Sequence, residues 1–580
     1  MKAKIFFFVF IISALSAYSQ QNKGPFQGNE TPTYHDLIQE YQQIDSQSEY
    51  AKLIEFGISD IGKPLHLLVI DKDGDFEANS ETTQSKTVVL INNGIHPGES
   101  CGIDASILLA NEILDEQSKL HQLLEDVIVL IIPAYNIGGM LNRNSYSRAN
   151  QIGPAEYGFR GNAKNLDLNR DFIKCDSKNA ASFSKMYNYW NPDVYAETHT
   201  TNGSNHQYTL TLISSQKDKL AKPIATFQEE ILVPQLYELM AKEGKAMIPY
   251  VYSLNGNPKD GIKAFLETPR YSTGYTALHH SFGFITEAHV FKPYEGRVNH
   301  TLAFLRILLQ ESATHKNEIK ETRKAAIKET QASNTQALNW TLDSTTFKLI
   351  PFKGYEKVEE VSEVTGNRMH FYESDQPYET KIKFYDTYKP STIVNKAAYY
   401  IVPIAYTAVI ERLKWNGVKM QQLKQDSLIY LSYYRIKNNQ TLKQAYEGHY
   451  LHYNTEVTIE KDSIQCFQGD YLIPLNQVKS NYITHVLEPQ SVDGFFNWNF
   501  FDGILQQKEW FSDYAFEPKA KALLEQNPEV KAKFEEAKAN DTLLRKNNFE
   551  QLYFIYKLSP YYELSVNRFP VYRIEKKTTK

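Results

Sequence analysis

A histidine and a glutamate three residues apart, His96 and Glu99, are the residues whose types and spacing most directly indicate chemistry. They follow an apolar run at residues 87–91 that predicts a buried strand, and a helical pattern begins just after them. A neutral imidazole and a carboxylate at a strand end are two of the three protein ligands of a catalytic Zn²⁺ site. The pair therefore predicts half of a zinc site.

The spacing alone does not single out this pair, because a short motif recurs by chance. The sequence contains three other His-x-x-Glu pairs: His315/Glu318, His370/Glu373 and His485/Glu488. We interpret the first of these as solvated, since it lies in a polar stretch. What distinguishes His96 and Glu99 is their position after a buried strand and the polar motifs that follow them along the chain.

The elements around these motifs alternate between strands and helices. Apolar runs predict strands at 87–91, 127–134, 193–198 and 282–287, and helical patterns predict helices at 100–115, 179–190 and 223–243. This alternation predicts an α/β fold, with a three-layer domain built on a mixed, largely parallel sheet. Ligands gather at the carboxyl ends of strands in such sheets. His96, His199 and Glu287 each lie at a predicted strand end, so we expect them to converge.

Two loops rich in Arg and Asn, at 142–150 and 159–172, lie between the second and third predicted strands. Their arginines stand among Gly and Asn, a composition that suits fork-shaped recognition of an anion by a planar guanidinium. The loops are therefore candidates for binding a carboxylate near the predicted metal site.

Taken in order, these motifs make residues 35–310 resemble the zinc metallocarboxypeptidases of the carboxypeptidase A type. The motifs are His96-Pro97-Gly98-Glu99, the Arg-containing loop, Asp167-Leu168-Asn169-Arg170, and the strand ends at His199 and Glu287. Each motif is weak by itself, and the ordered set is specific. The later part of the chain also resembles the C-terminal region of some bacterial members.

The resemblance implies a role for each matching residue and one Zn²⁺ per chain. The implied roles are metal binding for His96, Glu99 and His199, proton transfer as general base for Glu287, and oxyanion stabilisation for Arg148. Asn169 and Arg170 would bind the substrate's terminal carboxylate, and Tyr271 would close over the substrate.

Some neighbouring residues compete with these assignments. Tyr275 is a second candidate for the tyrosine that closes over the substrate. We interpret His289 as structural or as an outer neighbour of the metal site, because the ligand set is already complete. The His279-His280 pair could be mistaken for ligands. The preferred C-terminal residue of the substrate stays open.

The predicted function is that of an exported, zinc-dependent metallopeptidase acting on peptides with a free C-terminal carboxylate. One alternative is a zinc deacylase or amidase acting on N-acyl amino acids or peptidoglycan stem peptides. Another is a catalytically silent module that binds peptides or glycans. The Asn169-Arg170 pair favours peptide C-termini, and Glu287 argues against a silent module because binding alone does not need that carboxylate.

Composition and termini limit the partners and the compartment. A net charge of −5 gives no basic excess for nucleic acid, and three cysteines are too few for a disulfide framework. Residues 1–19 have the basic head, apolar middle and small residues of a secretory signal, which predicts export to the periplasm or the medium. The apolar middle is too short to span a bilayer, so no stable membrane insertion is expected.

The length of 580 residues predicts more than one domain. We expect a catalytic domain at 30–334, after the signal at 1–19, and a smaller, strand-rich, mixed α/β region of unknown role at 335–580. A helix beginning near residue 294 is expected to continue into a solvated polar helix and linker at 311–336. The aromatic stretch at 495–501 is interpreted as core or interdomain packing.

Overall fold

The structure is a computed structural model that describes residues 28–78 and 80–576. The predicted signal at 1–19 lies outside the described residues. The mixed α/β class is confirmed: an eight-stranded sheet of order β1-β2-β4-β3-β5-β9-β6-β7 forms the centre of the first half. Its strands are β1 (Ala51–Ile58), β2 (Pro64–Ile70), β3 (Thr87–Asn92), β4 (Val127–Ile132), β5 (Val194–Thr201), β6 (Leu210–Ser214), β7 (Ile248–Pro249) and β9 (Phe282–His289). The intervening strand β8 (Ile262–Lys263) pairs elsewhere.

The centre of this sheet is parallel and its flanks are mixed. Strands β4, β3, β5 and β9 run parallel to one another, whereas β1/β2, β2/β4 and β9/β6 are antiparallel pairs. Every residue of β3 and β4 is buried, which explains why both strands read as unbroken apolar runs rather than as alternating patterns. The four predicted strands are all present, with ends shifted by up to three residues.

Helices cover both faces of the sheet, as the three-layer prediction requires. Successive side chains of a strand point to opposite faces, so Tyr195 and Thr198 of β5 mark the two sides. The Phe183 ring of α5 lies 6.4 Å from the Tyr195 ring, and Gly102 of α3 lies directly against Thr198. The helices of this half are α1 (Tyr34–Gln47), α2 (Glu81–Ser85), α3 (Cys101–Leu114), α4 (Ile137–Leu141), α5 (Lys178–Trp190), α6 (Lys222–Phe227), α7 (Val233–Lys242), α8 (Ser272–Leu278), α9 (Tyr294–Thr314) and α10 (Lys316–Ala332).

The helix predicted at 223–243 is present, but it is not α-helical throughout. A π-helical turn, Gln228–Leu232, separates α6 from α7. Pro234 lies just beyond it at the start of α7 and has no N–H to donate to the preceding turn. A wider turn accommodates the missing hydrogen bond, and this is a known use of single π turns.

The polar stretch predicted as a solvated helix and linker at 311–336 is helical and partly exposed, but one face of it is buried. Helix α10 packs on the end of the sheet through Arg323, which is buried and forms an ion pair with Asp193. Lys320 Nζ lies 2.7 Å from the same carboxylate. His315, between α9 and α10, is largely buried and its Nε2 lies 2.8 Å from Gln235 Oε1. The polar composition therefore serves ion pairs as well as solvation.

The second half is rich in strands and closes with helices. Its strands are β10 (Thr335–Leu342), β11 (Lys348–Val361), β12 (Arg368–Tyr385), β13 (Tyr388–Asn395), β14 (Tyr399–Val402), β15 (Gln421–Gln422), β16 (Ser427–Thr441), β17 (His452–Cys466), β18 (Tyr471–Pro474) and β19 (Tyr572–Ile574). Its helices are α11 (Thr407–Trp415), α12 (Ser480–Leu487), α13 (Asp513–Gln526), α14 (Pro528–Asn540) and α15 (Asn548–Lys557).

The two halves of the chain are joined by strand pairing as well as by the continuous backbone. Strand β12 pairs in parallel with β8, so the hairpin β11–β12 extends a strand of the first half. The aromatic stretch at 495–501 is packed in the core, with Phe495, Phe496 and Trp498 fully buried. The boundary expected at 334/335 falls between α10 and β10 and stays a prediction. Among the described residues, no helix combines the length and apolar character needed to cross a membrane.

Candidate metal centre and active site

Three side chains from two strand ends bring their ligand atoms together at one point. His199 Nδ1 lies 3.2 Å from His96 Nδ1 and 2.9 Å from Glu99 Oε2, and His96 Nδ1 lies 3.3 Å from the same oxygen. Ligand atoms about 2.0–2.1 Å from a tetrahedral zinc lie roughly 3.3 Å apart. Two imidazole nitrogens and one carboxylate oxygen at this separation fit Zn²⁺. Among the residues that the structure describes, His96, Glu99 and His199 form the one group of three such side chains whose ligand atoms lie close enough together to hold a metal ion.

The turn after β3 positions His96 and Glu99. The strand ends at Asn92, and Gly94 turns the chain with φ +66, a conformation that suits a residue without Cβ. The Glu99 N–H then donates to the His96 carbonyl at 2.8 Å, which closes a tight turn before α3 begins. Gly98 is needed for a different reason: a Cβ there would lie 2.7 Å from the Arg148 side chain.

The parallel register of β5 and β9 positions the other two groups. His199 and Glu287 are direct partners across these strands. Paired residues of neighbouring strands share a face, so the two side chains are brought together without a loop. The sheet therefore sets the position of the candidate base relative to the metal ligands.

A carboxylate fixes the outer nitrogen of each histidine. Asp167 Oδ1 lies 2.9 Å from His96 Nε2, and Glu197 Oε2 lies 2.8 Å from His199 Nε2. With Nε2 protonated and bound outward, each Nδ1 lone pair is free for the metal, and such outer carboxylates strengthen metal ligation. Sequence reasoning did not assign these roles. The available signal for Glu197 was its position two residues before His199, on the same face of β5.

Glu99 is held as a carboxylate by two arginines. Its Oε1 lies 2.9 Å from Arg148 Nη1 and 3.4 Å from Arg160 Nη1. Burial opposes ionisation, but the nearby charges of His96 and Arg148 hold the pKa of Glu99 well below its usual value. The ligand is therefore charged when it meets a cation.

The two arginines differ in their hydrogen bonds and in their exposure to solvent. Arg148 also donates from Nε to Gln151 at 2.7 Å and from Nη2 to the Thr200 carbonyl at 3.0 Å. Its side chain is 19% exposed, whereas that of Arg160 is 44% exposed and is bound to Asp167. Arg148, the predicted oxyanion group, thus lies at the site in a fixed orientation, and Arg160 is a second candidate that the sequence reasoning did not weigh.

Glu287 is partly buried beside the ligands without belonging to them. Burial raises the pKa of Glu287 to about 8, and the nearby charge of His199 opposes this while Glu99 and Glu267 add to it. A bound cation would lower that pKa again by favouring the carboxylate. A carboxylate near the metal but outside the ligand set is what a general base requires.

Asn169, Arg170 and Tyr271 form a cluster at the wall of the site. Arg170 lies with its guanidinium 4.3 Å from the centre of the Tyr271 ring and donates to the Asn169 carbonyl at 2.7 Å. Asn169 Oδ1 is buried without a hydrogen-bond partner. Asn169 borders the cavity, where the Nδ2 group of its amide is a candidate donor to a bound anion.

The residues that compete for these roles do not line the cavity. Tyr275 is fully buried, and its hydroxyl donates to Asn416 Oδ1 at 2.6 Å; of the two candidates, Tyr271 is the one that borders the cavity. His289 Nε2 bonds the Ser204 carbonyl at 3.0 Å, which makes it structural. His279 stacks on Tyr482, and His280 bonds Thr330.

All eight candidate site residues border one cavity of about 430 Å³. Glu267, which sequence reasoning did not single out, adds a buried carboxylate to its wall and accepts a 2.9 Å hydrogen bond from the Thr273 N–H. The cavity therefore joins a metal site, a candidate base and an anion-binding cluster in a volume suited to a small ligand or a peptide end.

Comparisons with known proteins agree with this arrangement. Residues 37–268 match the family model described as zinc carboxypeptidase; this match ends before Tyr271 and Glu287. The chain is 19% identical over 425 residues to Carboxypeptidase 2 of Trichophyton rubrum, covering 71% of this chain and 73% of that protein. It is 20% identical over 429 residues to Carboxypeptidase 2 of Trichophyton tonsurans, with the same coverage.

Solved structures were also matched at low similarity. A metallo-carboxypeptidase from Pseudomonas aeruginosa gives a TM-score of 0.38 at 14% identity, covering 50% of this chain and 70% of that chain. A putative carboxypeptidase A from Shewanella denitrificans gives 0.37 at 13% identity, covering 48% and 69%.

The part of the chain that carries the candidate metal ligands is therefore similar to zinc carboxypeptidases, and this similarity supports a metallocarboxypeptidase hydrolase.

Proposed function

We propose that the protein is an exported carboxypeptidase that removes C-terminal residues from peptides, with Glu287 as the general base. The observation that carries the proposal is the single cavity shared by the metal ligands, Glu287 and the cluster of Asn169, Arg170 and Tyr271. Zinc, when bound, supplies a Lewis acid and lowers the pKa of water. His96, Glu99 and His199 would hold it.

The protein's own groups then have separate tasks. Arg170 and Asn169 bind the terminal carboxylate and so place the last peptide bond at the metal centre. Glu287 accepts a proton from water at its carboxylate oxygen and returns that proton to the leaving amine. Arg148, held by Glu99 and the Thr200 carbonyl, presents positive charge to the developing oxyanion.

Arg170→Lys tests whether the substrate is a free C-terminus. Lysine keeps the charge but loses the two parallel donors of guanidinium, so we expect KM for a peptide with a free carboxylate to rise by about 10–100-fold. Hydrolysis of a matched peptide with an amidated C-terminus should change little. The measurement is kcat and KM for both substrates, with Arg368→Lys, an exposed arginine on β12, as the control.

Other outcomes point to the other functions. Wild-type protein that releases acyl groups from N-acyl amino acids faster than C-terminal residues from peptides would support a deacylase or amidase. Zinc-loaded wild-type protein that binds peptides and hydrolyses none would support a silent module. In either case the carboxypeptidase proposal would be wrong.

Export is the second part of the proposal and is supported by the basic, apolar and small-residue order of residues 1–19. We expect a mature chain that begins at Gln20 and lies outside the cytoplasm. Edman sequencing of protein from the periplasm and the medium checks this. An intact Met1 on cytoplasmic protein would contradict it.

A further inference from the structure

We propose that a turn of the C-terminal region, Tyr446–His449, positions the carboxylate-binding segment Asp167–Arg170. This turn lies in the loop that joins β16 to β17, about 280 residues beyond the segment it contacts. The inference rests on the proposed function, and it gives the C-terminal region a part in the reaction: the region holds in place the residues that recognise the substrate's terminal carboxylate.

The turn has a defined and unusual backbone. The Tyr446 N–H donates to the His449 carbonyl at 2.7 Å and the His449 N–H donates back at 3.0 Å, so only Glu447 and Gly448 form the corner. Glu447 has φ +50, in the left-handed region that side chains with a Cβ disfavour. At this positive φ, the Glu447 side chain leaves the backbone in a different direction from that of a residue in extended conformation.

The Glu447 carboxylate is aimed at the backbone of the candidate site. Its Oε2 accepts the Asp167 N–H at 2.7 Å. Asp167 in turn accepts the Asn169 N–H at 2.9 Å and lies 2.9 Å from His96 Nε2. This contact from the C-terminal region therefore holds Asp167 in place. Asp167 begins the turn that carries Asn169 and Arg170, and it also orients His96, a candidate metal ligand.

Tyr446 contacts the anion-binding cluster from the same turn. Its side chain lies close enough to Arg170 to act on it electrostatically, and its ring centre lies 5.5 Å from the Arg270 guanidinium. Its ring stacks on Trp498 at 6.2 Å between centres, which holds the tyrosine in the core of the C-terminal region. Arg270 is fixed separately, because its Nε donates to Asp493 at 2.7 Å. Tyr446 is thus a second group of this turn that lies next to the candidate carboxylate-binding arginine.

His449 anchors the turn independently of these two contacts. Its Nε2 lies 2.7 Å from Asp176, a carboxylate that also lies 3.1 Å from Arg412 Nη2. Its ring packs against Trp498 at 5.5 Å. Loss of the Glu447 carboxylate should therefore leave the turn in place. A substitution of Glu447 then tests its contact with Asp167 separately from the folding of the turn.

The test compares Glu447→Ala with Glu447→Gln. Both variants keep a Cβ at the same positive φ, so backbone strain is constant between them, and only glutamine keeps an oxygen that can accept the Asp167 N–H. We expect Glu447→Ala to raise KM for a free-carboxylate peptide by about ten-fold, with kcat within about three-fold of wild type. Glu447→Gln should restore most of the loss. Glu456→Ala, an exposed glutamate on β17, is the matched control.

A second measurement does not depend on turnover. Hydrogen–deuterium exchange of a peptide covering residues 162–172 should be faster in Glu447→Ala than in wild type or Glu447→Gln, because the Asp167 amide loses its acceptor. If wild-type protein hydrolyses no peptide, the proposed function fails, while the exchange comparison still shows whether Glu447 holds the segment.

Two results would overturn the inference. One is a Glu447→Ala variant with wild-type KM and wild-type exchange at 162–172. The other is equal loss of Tm, kcat and KM in the alanine and glutamine variants, which would mean that the turn serves folding alone.

Discussion

Glu287→Gln is expected to abolish turnover while zinc stays bound. Glutamine has the size and shape of glutamate, so the packing between β5 and β9 is preserved, but its amide does not accept the proton from water. Removal of a general base costs about 10²–10⁴-fold in rate. The zinc content should be unchanged because the ligand atoms belong to His96, Glu99 and His199.

The experiment measures single-turnover rates and zinc content on the same purified samples. Glu363→Gln, which changes an exposed glutamate in the β11–β12 connection, controls for the loss of one negative charge. Loss of zinc together with activity in Glu287→Gln would show that Glu287 is a ligand. Retention of more than about a tenth of the wild-type rate would show that another group is the base.

His96→Ala is expected to lose zinc and activity together. Its Nδ1 is one of the three converging ligand atoms, and no other histidine or carboxylate among the described residues is placed to replace it. A metal that stabilises a transition state by several kcal/mol accounts for roughly 10³-fold or more in rate. We therefore expect residual activity below about a thousandth of wild type.

His370→Ala is the matched control because His370 belongs to one of the other His-x-x-Glu pairs and is exposed on β12. Zinc content by atomic emission and peptide hydrolysis should be those of wild type in this variant. Full zinc occupancy in His96→Ala would contradict the ligand assignment. Partial activity restored by excess zinc would indicate a weakened but intact site.

The four His-x-x-Glu pairs show what a local sequence pattern can predict about a site and what it cannot. His485 is buried and lies 3.1 Å from the Ser491 hydroxyl, while Glu488 pairs with Arg573. His315 contacts Gln235 rather than water alone, which corrects its interpretation as solvated. Spacing is identical in all four pairs, and only the position after a buried parallel strand separates His96 and Glu99 from the others.

The two departures from the fold prediction arise from features that apolar periodicity does not record. The helix expected at 223–243 contains a π turn because Pro234 removes one backbone donor, an effect that apolar periodicity does not record. The polar helix α10 was interpreted as solvated because its apolar residues are few. Its buried face carries Arg323, which together with Lys320 pairs with Asp193, about 130 residues earlier in the chain.

The sequence by itself determined the class of fold and the identity and order of the candidate residues, because buried strands and the motifs at their ends are local signals. The tertiary structure decided which nitrogen of each histidine faces the metal, through Asp167 and Glu197. It also chose Tyr271 over Tyr275 at the cavity. Only the tertiary structure brought Glu447 to Asp167, since a contact between residues so far apart along the chain depends on packing and leaves no periodic pattern in either segment.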